Sequence, residues 1–177
     1  MKYAVALACA ALVTIGPAAA QTAAAPTQSP ADDALQKALS SNYALGCTAA
    51  FNPTDANLEA AFASLAPDFV NIDPSGRQAS RDEVVGLAKQ QLKMLHAKSC
   101  DHTIESIAPS ADGTVVAVET LHLEGALQSG GGTHDLDLTD KAQDTWKNVD
   151  GKWQETKSKD LHLLVKVDGN VVQDQSS

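Results

Sequence analysis

The stretch Leu65-Ala66-Pro67-Asp68-Phe69-Val70-Asn71-Ile72-Asp73-Pro74-Ser75-Gly76 decides how the chain is to be read. Pro67 stops any helix that precedes it, Phe69 to Ile72 has the β-branched and aromatic content of a short strand, and Asp73-Pro74-Ser75-Gly76 is a turn. Directly afterwards Ser80 and Glu83 form a Ser-x-x-Glu capping box. The helix it opens carries Val84, Leu87, Ala88, Gln91, Leu92 and Leu95 at intervals of three and four.

Upstream of this stretch the periodicity is helical. Asp32 and Asp33 sit where a helix N-terminus prefers negative charge, and Leu35, Ala38, Leu39, Asn42 and Leu45 follow as a mostly apolar stripe that reaches towards Ala50. Asn52-Pro53 interrupts it. Thr54 or Asp55 caps a second helix through Leu58, Ala61, Phe62 and Leu65.

Downstream of His96 the rhythm changes to two. His102 to Ile107 alternates, Pro109 to Gly113 turns the chain, and Thr114 to Leu127 is a strand with Val115, Ala117, Leu121 and Leu123 on one face and Val116, Val118, Thr120 and His122 on the other. Three glycines between Ser129 and Thr133 predict a mobile connection. His134 to Val149 and Lys152 to Val167 form a long hairpin about Asp150-Gly151, because the favoured two-residue turn needs positive φ. A second Asp-Gly at 168 and 169 is expected to end the ordered region, with 171–177 a frayed tail. Helices followed by an antiparallel meander make an α+β pattern: one curved sheet wrapped around a long helix, leaving a cone with an open end.

The other end of the chain reads as an address. Lys2, the apolar run Tyr3 to Ile15, the breaker Gly16-Pro17 and the small residues Ala18-Ala19-Ala20 predict a secretory signal cleaved near Ala20-Gln21. The run is too short for a membrane span, which needs about 20 apolar residues. Gln21 to Pro30 is rich in small residues and Pro and reads as a flexible tether, leaving 31–170 as the single domain. A periplasmic or secreted location follows. Within the full 177 residues, 13 Lys+Arg stand against 22 Asp+Glu, a net charge of -9 that argues against nucleic acid as a partner. After cleavage only Cys47 and Cys100 remain. Two readings stand: a disulfide closing a loop of about fifty residues, stabilising by up to roughly 4 kcal/mol, or two buried thiols too far apart to bridge.

The Leu65 to Gly76 stretch with its capped helix, together with the hairpin Trp146-Lys147-Asn148-Val149-Asp150-Gly151-Lys152-Trp153, resembles the nuclear transport factor 2-like superfamily over residues 31 to 167. That superfamily includes ketosteroid isomerase, the SnoaL-like polyketide cyclases and many secreted domains of unknown role. The resemblance implies a cystatin-like, cone-shaped α+β barrel in which N-terminal helices pack in the concave face of a strongly curved antiparallel sheet. It also implies a homodimer formed through the open sheet face, an expectation weakened where Asp135, Asp137 and Thr139 make that face polar. Asp73 falls where the isomerase keeps its general-base carboxylate. The isomerase tyrosine would fall near Cys47 to Ala49, with Tyr43 one turn early. Its second acid would fall near Gln143, with Asp144 on the other face of a regular strand.

The remaining candidates each have a plainer competitor. Asp73 is either a base at a pocket mouth or a turn residue whose carboxylate accepts backbone N–H groups. His122 and His162, with Tyr43, are candidate ligand-binding groups if they share a cavity; otherwise one histidine is solvated and the other satisfied by a neighbour. His134-Asp135-Leu136-Asp137 offers no third ligand on one face, so no metal site is assigned. Trp146 and Trp153 either stack on a ligand or cover the core. No phosphate-cradling loop, dinucleotide fingerprint or Gly-x-Ser-x-Gly is present, so no cofactor is implied. The reading is a domain binding a small apolar ligand or a protein partner. The alternatives are a small lyase or isomerase using Asp73, and an assembly domain whose cone is filled by its own side chains.

Overall fold

The structure is a computed structural model and describes residues 30–177, with side chains from Leu35 onward. The export signal expected at 1–20 and nearly all of the tether lie outside the described residues. Two helices open the described chain, α1 (Pro30–Phe51) and α2 (Asp55–Ala61), and a third, α3 (Arg81–Met94), follows the first two strands. Pro30 opens α1, where its fixed φ and missing N–H cost nothing. Thr54 caps α2 by accepting the Asn57 N–H at 3.2 Å. The Ser80/Glu83 box caps α3, with the Ser80 N–H donating to Glu83 Oε2 at 2.8 Å.

Seven strands form one sheet: β1 (Leu65–Ile72), β2 (Gln78–Ser80), β3 (Leu95–Pro109), β4 (Val115–Ser129), β5 (Gly132–Val149), β6 (Lys152–Val167) and β7 (Asn170–Ser176). Their order is β2-β1-β6-β5-β4-β3, with β7 also paired to β6. The α+β architecture is as read from the sequence, but the sheet is mixed and is not closed. β1 runs parallel to β6, pairing Leu65 with Glu155 and Ile72 with Lys159. Pro67 lies inside β1, in the span where that register shifts between Leu65 and Val70, so its missing N–H interrupts no regular ladder.

Two expectations are corrected by hairpin chemistry. The glycine-rich segment after β4 is a tight turn, not a mobile connection. Ser129 pairs with Gly132, and Gly130 and Gly131 both take positive φ, 61° and 83°. Asp168-Gly169, with φ of 52° and 77°, does not end the ordered region; it turns the chain into β7. The 171–177 tail expected to fray instead pairs from His162–Ser176 to Val167–Asn170 along the half of the β6 edge that β1 leaves open.

Alternation sorts the sheet into two faces. Cross-strand partners share a face, so Val115, Ala117, Glu119, Leu121 and Leu123 of β4 stand with Trp146, Asp144, Ala142, Asp140 and Leu138 of β5. This inner face meets α1: Leu39 and Tyr43 pack against Val115, Ala117 and Trp146, and Ala50 is buried in a second cluster with Leu95 and Leu123. Trp146 is 1% exposed and belongs to the core, with Trp153 packed against it. Cys47 of α1 is bridged to Cys100 of β3, with Cα atoms 5.5 Å apart. The bridge fastens the helix to the sheet and, across a sequence separation of 53, is worth about 4 kcal/mol in the chain-entropy treatment.

Candidate functional site

The inner face is apolar where α1 covers it and acidic along its middle. Glu119, Asp140, Asp144, Glu155 and Asp160 all reach it, because their cross-strand partners (Glu119 with Ala142, Ala142 with Asp160, Trp146 with Glu155) fall on one side of the pleat. Asp160 arrives there only through a register shift in β6: Lys141 pairs with His162 and Ala142 with Asp160, which skips Leu161 and puts residues 160 and 162 on opposite faces.

Tyr43 anchors this group from α1. Its hydroxyl donates to Asp144 Oδ2 at 2.8 Å, and Ser158 Oγ donates to Asp144 Oδ1 at 2.8 Å. The Tyr43 ring stacks on His102 with centroids 5.0 Å apart and 9° between planes, and meets Trp146 edge-on at 5.9 Å. His102 Nδ1 in turn lies 2.8 Å from Glu119 Oε2. Asn71 of β1 reaches Asp160 Oδ2 at 3.5 Å. Two buried polar atoms have no partner among the described residues: Asp140 Oδ1 and Trp146 Nε1.

Burial sets the protonation of these groups. It pushes the Asp140 carboxyl up to about 8, with Asp160, Glu119 and Asp144 adding like-charge repulsion. Asp144 is pushed up to about 6 by burial and by Glu119, against the opposing hydrogen bonds from Ser158 and Tyr43. Glu155 is raised well above the ordinary range by burial, then by Asp144 and Glu119, and Asp160 is raised chiefly by burial. Burial and the Asp144 carboxylate hold the Tyr43 phenol protonated. At neutral pH this face therefore offers protonated carboxyl and phenol donors beside carboxylate acceptors.

A cleft of about 280 Å³ opens between α1 and β3, lined by Tyr43, Cys47, Phe51, Cys100, Asp101 and His102 among others. Tyr43, a candidate from the sequence, is thus in the wall of a cleft. The other candidates stand apart from it. Asp73 holds its own turn together: Oδ1 accepts from the Ser75 N–H at 2.9 Å, Ser75 Oγ at 2.6 Å and the Arg77 N–H at 3.0 Å, and Oδ2 from Arg77 Nε at 3.1 Å. The Ser75 hydroxyl, followed by Arg77, keeps this carboxyl below its ordinary range.

His122 and His162 lie on the outer face. His122 Nε2 is 3.1 Å from Thr139 Oγ1, and His162 Nε2 is 2.9 Å from Asp174 Oδ1 on β7. The two share a sheet face without sharing a cavity with Tyr43. The outer face is laced with Lys141–Glu105 and Lys166–Asp137 ion pairs. Around the 134–137 segment, His134 Nδ1 lies 2.8 Å from Asp168 Oδ2, and Lys98 and Lys166 pair with Asp135 and Asp137, so lysines occupy these two carboxylates.

His102, Glu119, Asp140 and Asp144 are the residues that sequence reasoning missed. Gln143, expected near the second-acid position, is on the outer face. Asp144, expected to point away, is inside, because Ala142 and Trp146 set the parity of β5 from the core. Glu119 carried a legible signal: a carboxyl interrupting the stripe Val115, Ala117, Leu121, Leu123 must find a partner or a proton.

No helix among the described residues is long and apolar enough to cross a membrane. No family model matches the chain, and no curated protein matches it. Solved structures do. A conserved protein from Planctomyces limnophilus superposes with a TM-score of 0.61 at 17% identity, over 76% of this chain and 98% of that one. A nuclear transport factor 2-like protein from Cytophaga hutchinsonii gives 0.54 at 20% identity, over 71% and 95%. A ketosteroid isomerase-like protein from Erwinia carotovora atroseptica gives 0.51 at 14% identity, over 77% and 95%. Helices laid on one face of a mixed sheet, and these superpositions covering nearly the whole of each neighbour, give this chain the nuclear transport factor 2-like fold.

Proposed function

We propose that the chain is an extracytoplasmic domain that binds a small, largely apolar ligand beneath α1, the ligand presenting a few hydrogen-bonding groups to the inner sheet face. The observation that carries this reading is Asp140 Oδ1, buried without a partner among the described residues on the same inner face as the Tyr43–Asp144 hydrogen bond. Leaving such a group unpaired costs about 1–3 kcal/mol, and a bound molecule that hydrogen-bonds to it removes that cost. Ala44, Phe51 and Ile104, in the wall of the cleft beside Tyr43, suit the apolar part of such a molecule. Export is supported by the sequence of residues 1–20 and by the Cys47–Cys100 bridge, which persists in oxidising compartments.

Native mass spectrometry of protein purified from its own host tests this. A retained mass that leaves on denaturation, and that is lost when Tyr43→Phe and Asp140→Asn are combined, is the expected result. The apo mass alone, from several independent preparations, rejects the reading. Self-association into a homodimer belongs to the same reading and is checked by size-exclusion chromatography with light scattering.

Nothing favours the isomerase or lyase alternative through Asp73. A general base working near neutrality needs a raised carboxyl with a free oxygen, whereas Ser75 and Arg77 occupy both oxygens of Asp73 and lower it.

A further inference from the structure

The Cys47–Cys100 bridge does more in this fold than join a helix to a sheet. Both sulfurs and a ring nitrogen of His102 lie within 4.8 Å of one another, in the wall of the cleft between α1 and β3. Cys100 and His102 are two residues apart on the inner face of β3, and Cys47 stands one helical turn beyond Tyr43. His102 is held from two sides. Tyr43 stacks on its ring, and Glu119, 6% exposed, takes Nδ1 at 2.8 Å. In the tautomer that donates Nδ1–H to Glu119, Nε2 carries the free lone pair. A buried carboxylate behind a histidine whose other nitrogen is free is the outer-shell arrangement that orients metal-binding imidazoles.

We propose that, when the bridge is opened to the dithiol, Cys47, Cys100 and His102 bind one thiophilic cation of the Zn(II) type, with Glu119 as the positioning residue for His102 and the cleft supplying the fourth, open coordination position. The proposal is independent of the ligand-binding reading. Zn–S bonds of about 2.3 Å in a tetrahedral site place two sulfurs about 3.8 Å apart. Cysteines whose Cα atoms are 5.5 Å apart reach that separation by small side-chain rotations. The bridge and the metal site are thus mutually exclusive states of the same residues. Opening requires a dithiol reductant: thiol–disulfide exchange oxidises its two thiols to a disulfide and passes two electrons and two protons to the sulfurs of Cys47 and Cys100. Cation binding then releases both thiol protons to water. The cleft gives a reductant access to the bridge, which a buried staple would deny.

The test is anaerobic titration of the full chain, before and after reduction and removal of the reductant, with Zn(II) in competition with a chromophoric chelator and with Co(II) as a spectroscopic probe. The reduced protein is expected to take up one equivalent and to show thiolate-to-cobalt charge-transfer absorption; the oxidised protein should do neither. His102→Ala should weaken Zn(II) binding at least tenfold and Glu119→Gln about tenfold, the range found for lost outer-shell partners, while Glu59→Gln, exposed on α2 away from the cleft, leaves it unchanged. Circular dichroism and amide NMR spectra monitor the fold throughout. Absence of stoichiometric binding by the reduced protein overturns the proposal, and so does loss of fold on reduction, since the site needs α1 and β3 in place. Equal affinity in the His102→Ala variant overturns it as well, because two thiolates alone then account for the binding.

Discussion

Tyr43 and Asp144, 101 positions apart in the chain, meet in a buried hydrogen bond in which the phenol donates to Oδ2 at 2.8 Å. The bond ties α1 to the middle of β5 and makes the inner face polar at the point where the helix covers it. Tyr43→Phe keeps the ring, its stacking on His102 and its edge contact with Trp146, and removes only the donor. The expected loss is about 1–3 kcal/mol, the cost of leaving a buried acceptor short of a partner. It should be visible as a lower urea midpoint with an unchanged slope. The Asp144 carboxyl should also titrate above its value of about 6, since the tyrosine hydrogen bond holds it down. An unchanged midpoint would show that water replaces the phenol without penalty.

The buried carboxyls give stability an unusual dependence on pH. Asp140, at about 8, and Asp144, at about 6, bind protons more tightly in the folded chain than in the unfolded one, where an aspartate lies near 3.8. The folded state therefore holds the larger number of protons above pH 4. Stability falls as pH rises, through about 6 for Asp144 and about 8 for Asp140. Asp73, lowered by Ser75 and Arg77, acts in the opposite sense and loses its contribution as pH falls below about 4. Thermal midpoints should be highest in acid, near pH 4, and clearly lower at pH 8.5. Asp140→Asn should flatten the alkaline part of that decline. A midpoint that rises between pH 5 and pH 8.5 contradicts this assignment.

Gly125 sits where β3 leaves no room for a side chain on β4. A Cβ at this position would lie 2.7 Å from the His96 carbonyl oxygen and 2.9 Å from Leu95 Cδ1, beside the bulge between Ala97 and Ser99. The carbonyl belongs to a ladder and cannot swing aside. Gly125→Ala should cost about 1–3 kcal/mol, in the range of overpacked cores. Gly46→Ala, whose Cβ would meet nothing within 4 Å, serves as the control and should be neutral or stabilising. Comparable urea midpoints for the two variants would refute the steric account.

Removal of residues 170–177 should change the association state of the protein. β7 covers the edge of β6 from His162 to Val167, a segment that includes Leu163, Leu164 and Val165. Uncovered, these residues present an apolar strand edge of the kind that pairs with another chain. Light scattering after size exclusion should show species larger than those of the full chain. An identical mass for the truncated chain would mean that β7 is dispensable as an edge cover.

The sequence was most informative where a local rule has few solutions. The Ser80–Glu83 capping box, the Thr54 cap and the Asp150-Gly151 hairpin were legible because each satisfies backbone groups or a positive φ with residues a few positions apart. The same rule, applied evenly, would have made hairpins of Gly130-Gly131 and Asp168-Gly169. Composition drew the reading instead towards a mobile connection and a frayed end. The candidate site was far less legible. Tyr43 is legible in the sequence, but the inward faces of His102 and Asp144 are not, because a strand fixes side-chain direction only relative to an anchor.

The amino-acid sequence by itself determined the α+β character, the caps, the turn chemistry and a pair of cysteines able to bridge, since these depend on interactions within a few residues or on composition alone. Tertiary structure decided the parallel docking of β1 on β6, the shift at Leu161 that separates Asp160 from His162, and the gathering of Tyr43, His102, Glu119 and Asp144 beneath α1. Those features depend on which strand edges meet and in what register. A shift of one residue reverses every side chain on a strand, and only the packing of Trp146 and its neighbours against the helix selects between the two possibilities.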